Sequence, residues 1–402
     1  MNDIRILVGD VIERLAGLPD ESVHCCVTSP PYWGLRDYGV DGQLGLEPTI
    51  EEYIERMTAV FEEVRRLLRK DGTLWLNMGD CYASQPSWGR GGGSTLDGRK
   101  QGVEGGASPN RSCSGLKPKD MVGQPWMLAF ALRSAGWYLR SEIIWHKLNP
   151  MPESCTDRPT KSHEQIFLLS KRPRYFYDAV AVQEAATKGA AGSRFDRGKT
   201  GARDGGDRTQ DGYRGGATRN LRDVWKIATQ PFPEAHFATF PEELPRKCIL
   251  AGTSEKGCCP ECGAPWVRVV EKTRTFESGS GKSGNAPSGK NGPNLQGGGE
   301  TGDIRRGPCV STKTTGWKPV CECLSMGHAQ AIADGKTAAA PCVILDPFGG
   351  AGTTGLVAAK MGRSAILTEL NPEYAEMARR RIERECGLLA KVTVDSREPV
   401  NA

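Results

Sequence analysis

The stretch CVILDPFGGAGTTGLVAAKMGRSAILTELNPEYAEMARRRIERE, residues 342–385, decides the fold class. VILDP is an unbroken apolar run stopped by proline, as expected of a strand buried on both faces. A glycine-rich turn opens a helix, SAILTE forms a second strand, and Asn371-Pro372 starts another helix. Strands alternating with helices imply a parallel sheet covered on both sides. Gly349, Gly350 and Gly352 allow the backbone to turn tightly and approach a ligand without Cβ atoms in the way. Glu369 closes the second strand with a carboxylate able to accept two hydrogen bonds from ribose hydroxyls. The stretch therefore reads as a nucleoside-cofactor site at the carboxyl edge of a parallel sheet. Gly350-x-Gly352-x-x-Gly355 also matches the dinucleotide fingerprint, which keeps a nicotinamide-dependent dehydrogenase in view.

Outward from this block, the same alternation recurs at the other end of the chain. IRILVGD and HCCVTSPPY read as strands ending in turn residues. EEYIERMTAVFEEVRRLLRKDG reads as an amphipathic helix closed by Asp71-Gly72, with TLWLNM as the next strand. Between Met121 and Tyr177 the pattern predicts a helix (PWMLAFALRSAG), a strand (YLRSEIIWHK) and a further strand pair at HEQIFLLSK and RYFYD. Two stretches are poor in apolar residues: Ser84 to Pro118, rich in Gly and Ser, and Thr187 to Arg222, with nine Lys/Arg against four Asp. The first is expected to be a flexible insertion. The second reads either as a solvated linker or as a segment that orders along a phosphate backbone.

Thr28-Ser29-Pro30-Pro31-Tyr32 also follows an apolar strand. Consecutive prolines stiffen the chain and remove two N–H donors, leaving rigid carbonyl acceptors, and Tyr32 adds an aromatic face. An exocyclic amine of cytosine or adenine is a weak nucleophile because its lone pair is delocalised into the ring. Acceptors that bond its two hydrogens favour the pyramidal form, and Ser29 Oγ and the Pro30 carbonyl suit that task. The base must leave the duplex to reach them. The bland alternative is a rigid exit loop.

Taken together, DPFGGAGTT, TELNPEY and TSPPY resemble the beta group of amino-methylating DNA methyltransferases, acting on cytosine N4 or adenine N6. The resemblance covers most of residues 3–82, 121–178, 224–256 and 341–385. It implies an α/β fold: a circularly permuted, Rossmann-like S-adenosylmethionine-dependent methyltransferase sheet with Gly-rich and Cys-containing insertions. It implies that Ser29, Pro30, Pro31 and Tyr32 are catalytic, with Tyr32 stacking on the base and the amine attacking the sulfonium methyl in line. It implies that Asp10, Phe240, Asp346, Pro347, Phe348, Gly349, Gly350, Gly352, Thr353 and Glu369 bind the cofactor. Asp10 would lie near its adenine, Asp346 near its methionine end, Phe348 against it and Glu369 on its ribose. For Asp10, capping the helix VIERL is an equal alternative, and Phe240, Phe237 and Phe348 serve equally as core aromatics. WHKLNPMPES and His163-Glu164 resemble a segment flanking the base pocket. Serine at the first position of the catalytic motif is the form associated with cytosine N4, so that base is preferred over adenine N6.

Cys259-Pro-Glu-Cys262-Gly is a knuckle-like turn whose two thiolates can share a tetrahedral metal, and Cys321-Glu-Cys323 supplies a second pair, with Cys258, Cys309 and His328 as further candidates for the fourth ligand. A structural zinc in a ribbon-like insertion (257–324) is expected, as a folding staple. The remaining organisation places the catalytic half at 1–82, an insertion at 83–120, and the base flank at 121–180. A Gly/Arg-rich candidate DNA-recognition segment follows at 181–223, then a cofactor-closing segment at 224–256 and the cofactor half at 341–386.

Composition agrees with a folded chain carrying insertions: 50 glycines, 26 prolines and 14 cysteines in 402 residues, with a net charge of +5. Fourteen cysteines are too sparse for a disulfide scaffold, and Cys25, Cys26 and Cys342 sit in apolar runs, so reduced thiols in a cytoplasmic setting are expected. The N-terminus begins a strand-like segment at once, so no secretory leader is expected, and no apolar run is long enough for a membrane span. Double-stranded DNA is the expected partner, with a cognate restriction nuclease beside it. Rival readings are a catalytically inactive, zinc-stabilised DNA-binding protein and an enzyme acting on RNA.

Overall fold

The computed structural model describes residues 2–35, 39–83, 115–185, 218–230, 232, 239–275 and 309–396. In chain order the elements are β1 (Asn2–Val8), α1 (Val11–Ala16), β2 (Val23–Thr28), α2 (Ile50–Leu67), β3 (Leu68–Met78), α3 (Gln124–Ser134) and β4 (Tyr138–Lys147). There follow β5 (His163–Ser170), β6 (Glu184–Ala185), β7 (Thr218–Arg219), β8 (Val224–Ile227), α4 (Glu243–Gly252), β9 (Val267–Thr275) and β10 (Cys309–Lys318). The chain ends with α5 (Met326–Ala333), β11 (Val343–Asp346), α6 (Thr353–Lys360), β12 (Ser364–Glu369), α7 (Pro372–Cys386) and β13 (Ala390–Asp395).

Nine strands form one sheet in the order β13-β1-β12-β11-β2-β3-β5-β4-β8. Every adjacent pair is parallel except the two made by β5, which runs against β3 and β4. The late strand β11 thus lies mid-sheet, between β12 and the early strand β2. Their pairing aligns Ile344 with Cys25 and Leu345 with Cys26. β2 is buried at all six positions, which explains its continuous apolar reading.

Helix α2 shows how sequence becomes packing. Thr49 caps it by accepting the Glu52 N–H at 3.2 Å, which satisfies one of the orphan donors of the first turn. Tyr53, Met57, Val60, Phe61 and Val64 then recur on one face and are fully buried. They join Leu74, Leu76, Phe167 and Leu169 of β3 and β5 in a core cluster. At about 1.5–3 kcal/mol per fully buried large apolar side chain, this face dominates the local energetics.

Two expectations need correction. Asp71-Gly72 does not close a helix: α2 ends at Leu67, and the turn residues lie inside β3. There the register with β2 jumps from Val23↔Leu68 to Cys25↔Thr73, so the turn chemistry is expressed as a bulge. RYFYD is not a strand. Its backbone docks irregularly, with Phe176 N–H on the Asp71 carbonyl and Asp178 N–H on the Ala251 carbonyl, both at 2.8 Å. Beyond the cofactor half, β13 adds an edge strand that pairs with β1.

The chain divides into two compact units. One comprises residues 1–181, 222–267 and 318–402 and contains the nine-stranded sheet. The other comprises 182–221 and 268–317 and includes the short antiparallel pair of β6 and β7. Most of the candidate DNA-recognition segment (186–217) and of the first insertion (84–114) lies outside the described residues. Among the described residues no helix is long and apolar enough to cross a membrane.

Candidate active site

Because all its strands but β5 run the same way, the sheet has one carboxyl edge, where ligands of open α/β sheets bind. Gly9-Asp10 after β1, Ser29–Tyr32 after β2, Asp346–Gly352 after β11 and Glu369 at the end of β12 all lie there. So do Asn77 near the end of β3, Lys147 at the end of β4 and, because β5 runs the other way, Glu164 at its start.

The two loops singled out from opposite ends of the chain are bonded to each other. Thr28 donates its hydroxyl to Asp346 Oδ1 at 2.7 Å, and Thr354 of α6 donates to Asp346 Oδ2, also at 2.7 Å. The Phe348 N–H adds a third bond to Oδ1 at 3.1 Å. Asp346 is only 1% exposed. Burial raises its carboxyl to about 7, against these three bonds, which favour the charged form. Asp346 therefore acts as a strut inside the protein, tying the β2 exit to the glycine turn.

The turn is closed by its own hydrogen bonds. Gly349 donates to the Thr368 carbonyl and Gly352 to the Gly349 carbonyl, both at 2.8 Å. Gly350 donates to Glu369 Oε2 at 2.8 Å, while Asn371 N–H reaches Oε1 at 3.0 Å. Burial holds the Glu369 carboxyl above its usual range. Gly352 has φ +73°, and a Cβ there would stand 2.8 Å from the Ala378 Cβ of α7, so only glycine fits. From α7, Arg381 donates to the Ala351 carbonyl at 3.2 Å and to Thr353 Oγ1 at 3.0 Å. Pro347 accepts the Thr368 hydroxyl on its carbonyl at 2.5 Å, and Phe348 is partly buried against the core cluster. Asp10 caps α1, taking the Ile12 and Glu13 N–H groups on Oδ1 at 2.9 and 3.1 Å. Phe240 is half-buried just ahead of α4, and Phe237 lies outside the described residues.

The TSPPY loop is fixed from several sides. Tyr53 of α2 donates to the Pro31 carbonyl at 2.8 Å. The buried Gln124 accepts the Trp33 N–H and donates to the Gly79 carbonyl, both at 3.0 Å. Pro30 is buried, whereas Ser29, Pro31 and Tyr32 are half-exposed. Tyr32 donates to Glu164 Oε2 at 3.0 Å, and its ring lies so close to Gly79 that a Cβ there would stand 2.9 Å from it. Asn77 Nδ2 donates to the same Glu164 oxygen at 2.9 Å and to Ser29 Oγ at 3.3 Å. Lys147 pairs with Glu164 Oε1 at 2.5 Å. Burial, then the Glu164 charge, keeps the Tyr32 phenol protonated well above its usual range. Asn77, Gln124 and Arg381 were not singled out from sequence, while Thr28, Thr354 and Lys147 lie inside motifs read there without a role of their own. The TSPPY, DPFGGAGTT and WHKLNPMPES motifs and the His163-Glu164 pair signalled that their neighbourhood mattered.

On the opposite, amino edge, Cys259, Cys262, Cys321 and Cys323 converge, all four Sγ atoms within 4.8 Å of one another. Tetrahedral zinc with Zn–S bonds of about 2.3 Å needs sulfur separations near ~3.8 Å, so this donor set fits the ion with small side-chain adjustments.

Comparison with known proteins adds a family. The N6/N4 DNA methylase family matches residues 23–259 and 342–380. A type II methyltransferase of Serratia marcescens, M.SmaI, is 36% identical over 386 residues, covering 96% of this chain and 92% of that protein. M.Cfr9I of Citrobacter freundii is 45% identical over 253 residues, covering 63% and 74% of the respective chains. M.XycI of Xanthomonas campestris pv. cyanopsidis is 46% identical over 245 residues, covering 61% and 71%. Cys262, Cys321 and Cys323 lie in the interval that the family match leaves out.

Proposed function

The chain belongs to the N6/N4 DNA methylase family, and from that premise we propose that it is a type II methyltransferase that methylates cytosine N4 in double-stranded DNA from S-adenosylmethionine. The observation that carries this reading is the Thr28–Asp346 hydrogen bond. It sets a loop suited to an exocyclic amine beside a loop suited to a nucleoside.

The cofactor loop favours S-adenosylmethionine over a dinucleotide. A pyrophosphate site presents free backbone N–H groups at a helix N-terminus. Here the N–H groups of Phe348, Gly349, Gly350 and Gly352 are taken by the chain's own oxygens, one of them in the carboxylate of Glu369. That arrangement repels phosphate and leaves Glu369 for ribose hydroxyls. S-adenosylmethionine, when bound, supplies an electrophilic methyl group on a sulfonium.

The chain's own residues then act on the base. Tyr32 offers its ring for stacking, held by Glu164. Ser29 Oγ and the Pro30 carbonyl accept the two amine hydrogens, so that the nitrogen lone pair turns toward the methyl group. Serine at position 29 is the form that the family resemblance associates with cytosine N4. Glu164 already binds Tyr32, Asn77 and Lys147, so the released proton goes to water. A structural zinc at the four cysteines and a cognate restriction nuclease as partner complete the reading.

The test is a mass-spectrometric nucleoside digest of unmethylated DNA incubated with the protein and methyl-labelled cofactor. Labelled N4-methylcytosine is expected. Labelled N6-methyladenine overturns the choice of base, and absence of label despite bound cofactor overturns the enzyme.

A further inference from the structure

We infer that the ion held by Cys259, Cys262, Cys321 and Cys323 fastens the amino edge of the sheet across the seam between β2 and β11. This rests on the zinc in the proposed function but not on methyl transfer. Four sulfurs converging on one point favour a single tetrahedral ion over two separate disulfides, each of which would need only its own pair. Cys259 is buried, while Cys262 and Cys323 are exposed. The site is thus anchored on the core side and open to metal from solvent.

The knuckle is bonded to two neighbouring strands and, through His24, to a third. The Cys262 carbonyl accepts Arg69 Nη1 of β3 at 2.6 Å. The Gly263 carbonyl lies 2.8 Å from His24 Nε2 of β2, and His24 Nδ1 lies 3.0 Å from the Val343 N–H, the first residue of β11. An N–H can only donate, so Nδ1 is the acceptor and Nε2 carries the proton given to Gly263. A continuous line of bonds therefore runs from the metal-ligating turn through β2 into β11. On the far side, Cys258 and Ala340 exchange backbone bonds at 2.8 and 3.1 Å just before β11 begins.

The seam has reason to need this. It joins strands from opposite ends of the chain, aligned at Ile344↔Cys25 and Leu345↔Cys26. Its carboxyl end carries both loops of the active site, closed there by Thr28 and Asp346. The ion closes the other end. It takes no part in the reaction, yet it sets the spacing of the strands from which both loops project.

The experiment uses the full chain. Elemental analysis should find one zinc per chain, lost in Cys323→Ser. Chelation of the wild type should raise hydrogen exchange in residues 23–28 and 343–346 by about tenfold or more, and added zinc should reverse the change. Arg69→Ala, which keeps all four thiolates, should retain the zinc yet speed exchange in 23–28. Absence of zinc, with the cysteines found as disulfides, overturns the metal. Zinc whose removal leaves exchange at the seam unchanged overturns the fastening. Neither result touches the labelled-nucleoside assay, whose failure would leave the fastening intact.

Discussion

Replacing Thr28 by Val removes the hydroxyl that Asp346 accepts at 2.7 Å and keeps the shape of the side chain. The cost depends on the charge of Asp346, and that makes the prediction specific. Burial raises this carboxyl to about 7, from an ordinary value of 3.8. The native state therefore holds a proton that the unfolded chain has already released between about pH 4 and pH 7, and wild-type stability from this group falls as pH rises through that window. At pH 5.5 the lost bond is one to a neutral acid, worth about 0.5–1.5 kcal/mol, whereas at pH 8.5 it is one to a carboxylate, worth about 1.5–3 kcal/mol. Thr28→Val should thus be more destabilising at pH 8.5 than at pH 5.5 by about 1 kcal/mol. Denaturant unfolding followed by tryptophan fluorescence at the two pH values measures this, with Asp346→Asn as the control in which the pH dependence of the Thr28 effect disappears. An equal penalty at both pH values, or a larger one at pH 5.5, would refute the claim that the strut bears charge.

Other expectations follow from the same geometry. Tyr32→Ala should reduce methylation by two orders of magnitude or more (about 10²-fold) while cofactor affinity stays within about twofold, because only base positioning is lost; isothermal titration and single-turnover assays separate the two. Glu164→Gln keeps an acceptor for Tyr32 and Asn77 and should lower kcat less than about fivefold, whereas Glu164→Ala should lower it by about tenfold or more. Equal effects of the two would reduce Glu164 to a packing role. Glu369→Gln weakens the acceptor expected to face ribose and should cost about tenfold in cofactor affinity, read by titration, with little change in kcat at saturation. Gly352→Ala forces a methyl group onto Ala378 at positive φ and should destabilise by about 1–3 kcal/mol, measured as a lower Tm.

The sheet's centre was legible because burial on both faces leaves uninterrupted apolar runs, as in HCCVT and VILD. The two site loops were legible for a related reason: Gly and Pro mark backbone shapes that few other residues permit. What stayed hidden depends on meetings between distant residues. Nothing local in EIIWHK or LWLNM announces that Lys147 and Asn77 will both reach Glu164. Arg381 sits in the charged run ARRRIERE, where nothing local marks it out, yet it is buried under the glycine turn. Asp71-Gly72 misled because the same dipeptide serves a helix stop and a strand bulge, and only the partner strand decides between them. The cysteine quartet was legible as spacing, but its attachment to His24 and Val343 was not.

Thr28 and Asp346 stand 318 positions apart in the chain, and that separation has a consequence during synthesis. β2 leaves the ribosome carrying the loop proposed for the base, but β11, which must lie beside it, begins only at Val343. Closing so long a loop adds little thermodynamic cost, since the entropy grows only with the logarithm of length. It does impose an order in time. A chain made only as far as residue 342 lacks β11 and the glycine turn that follows it, so residues 343–369 must be synthesised before a methyl donor has a complete place to bind.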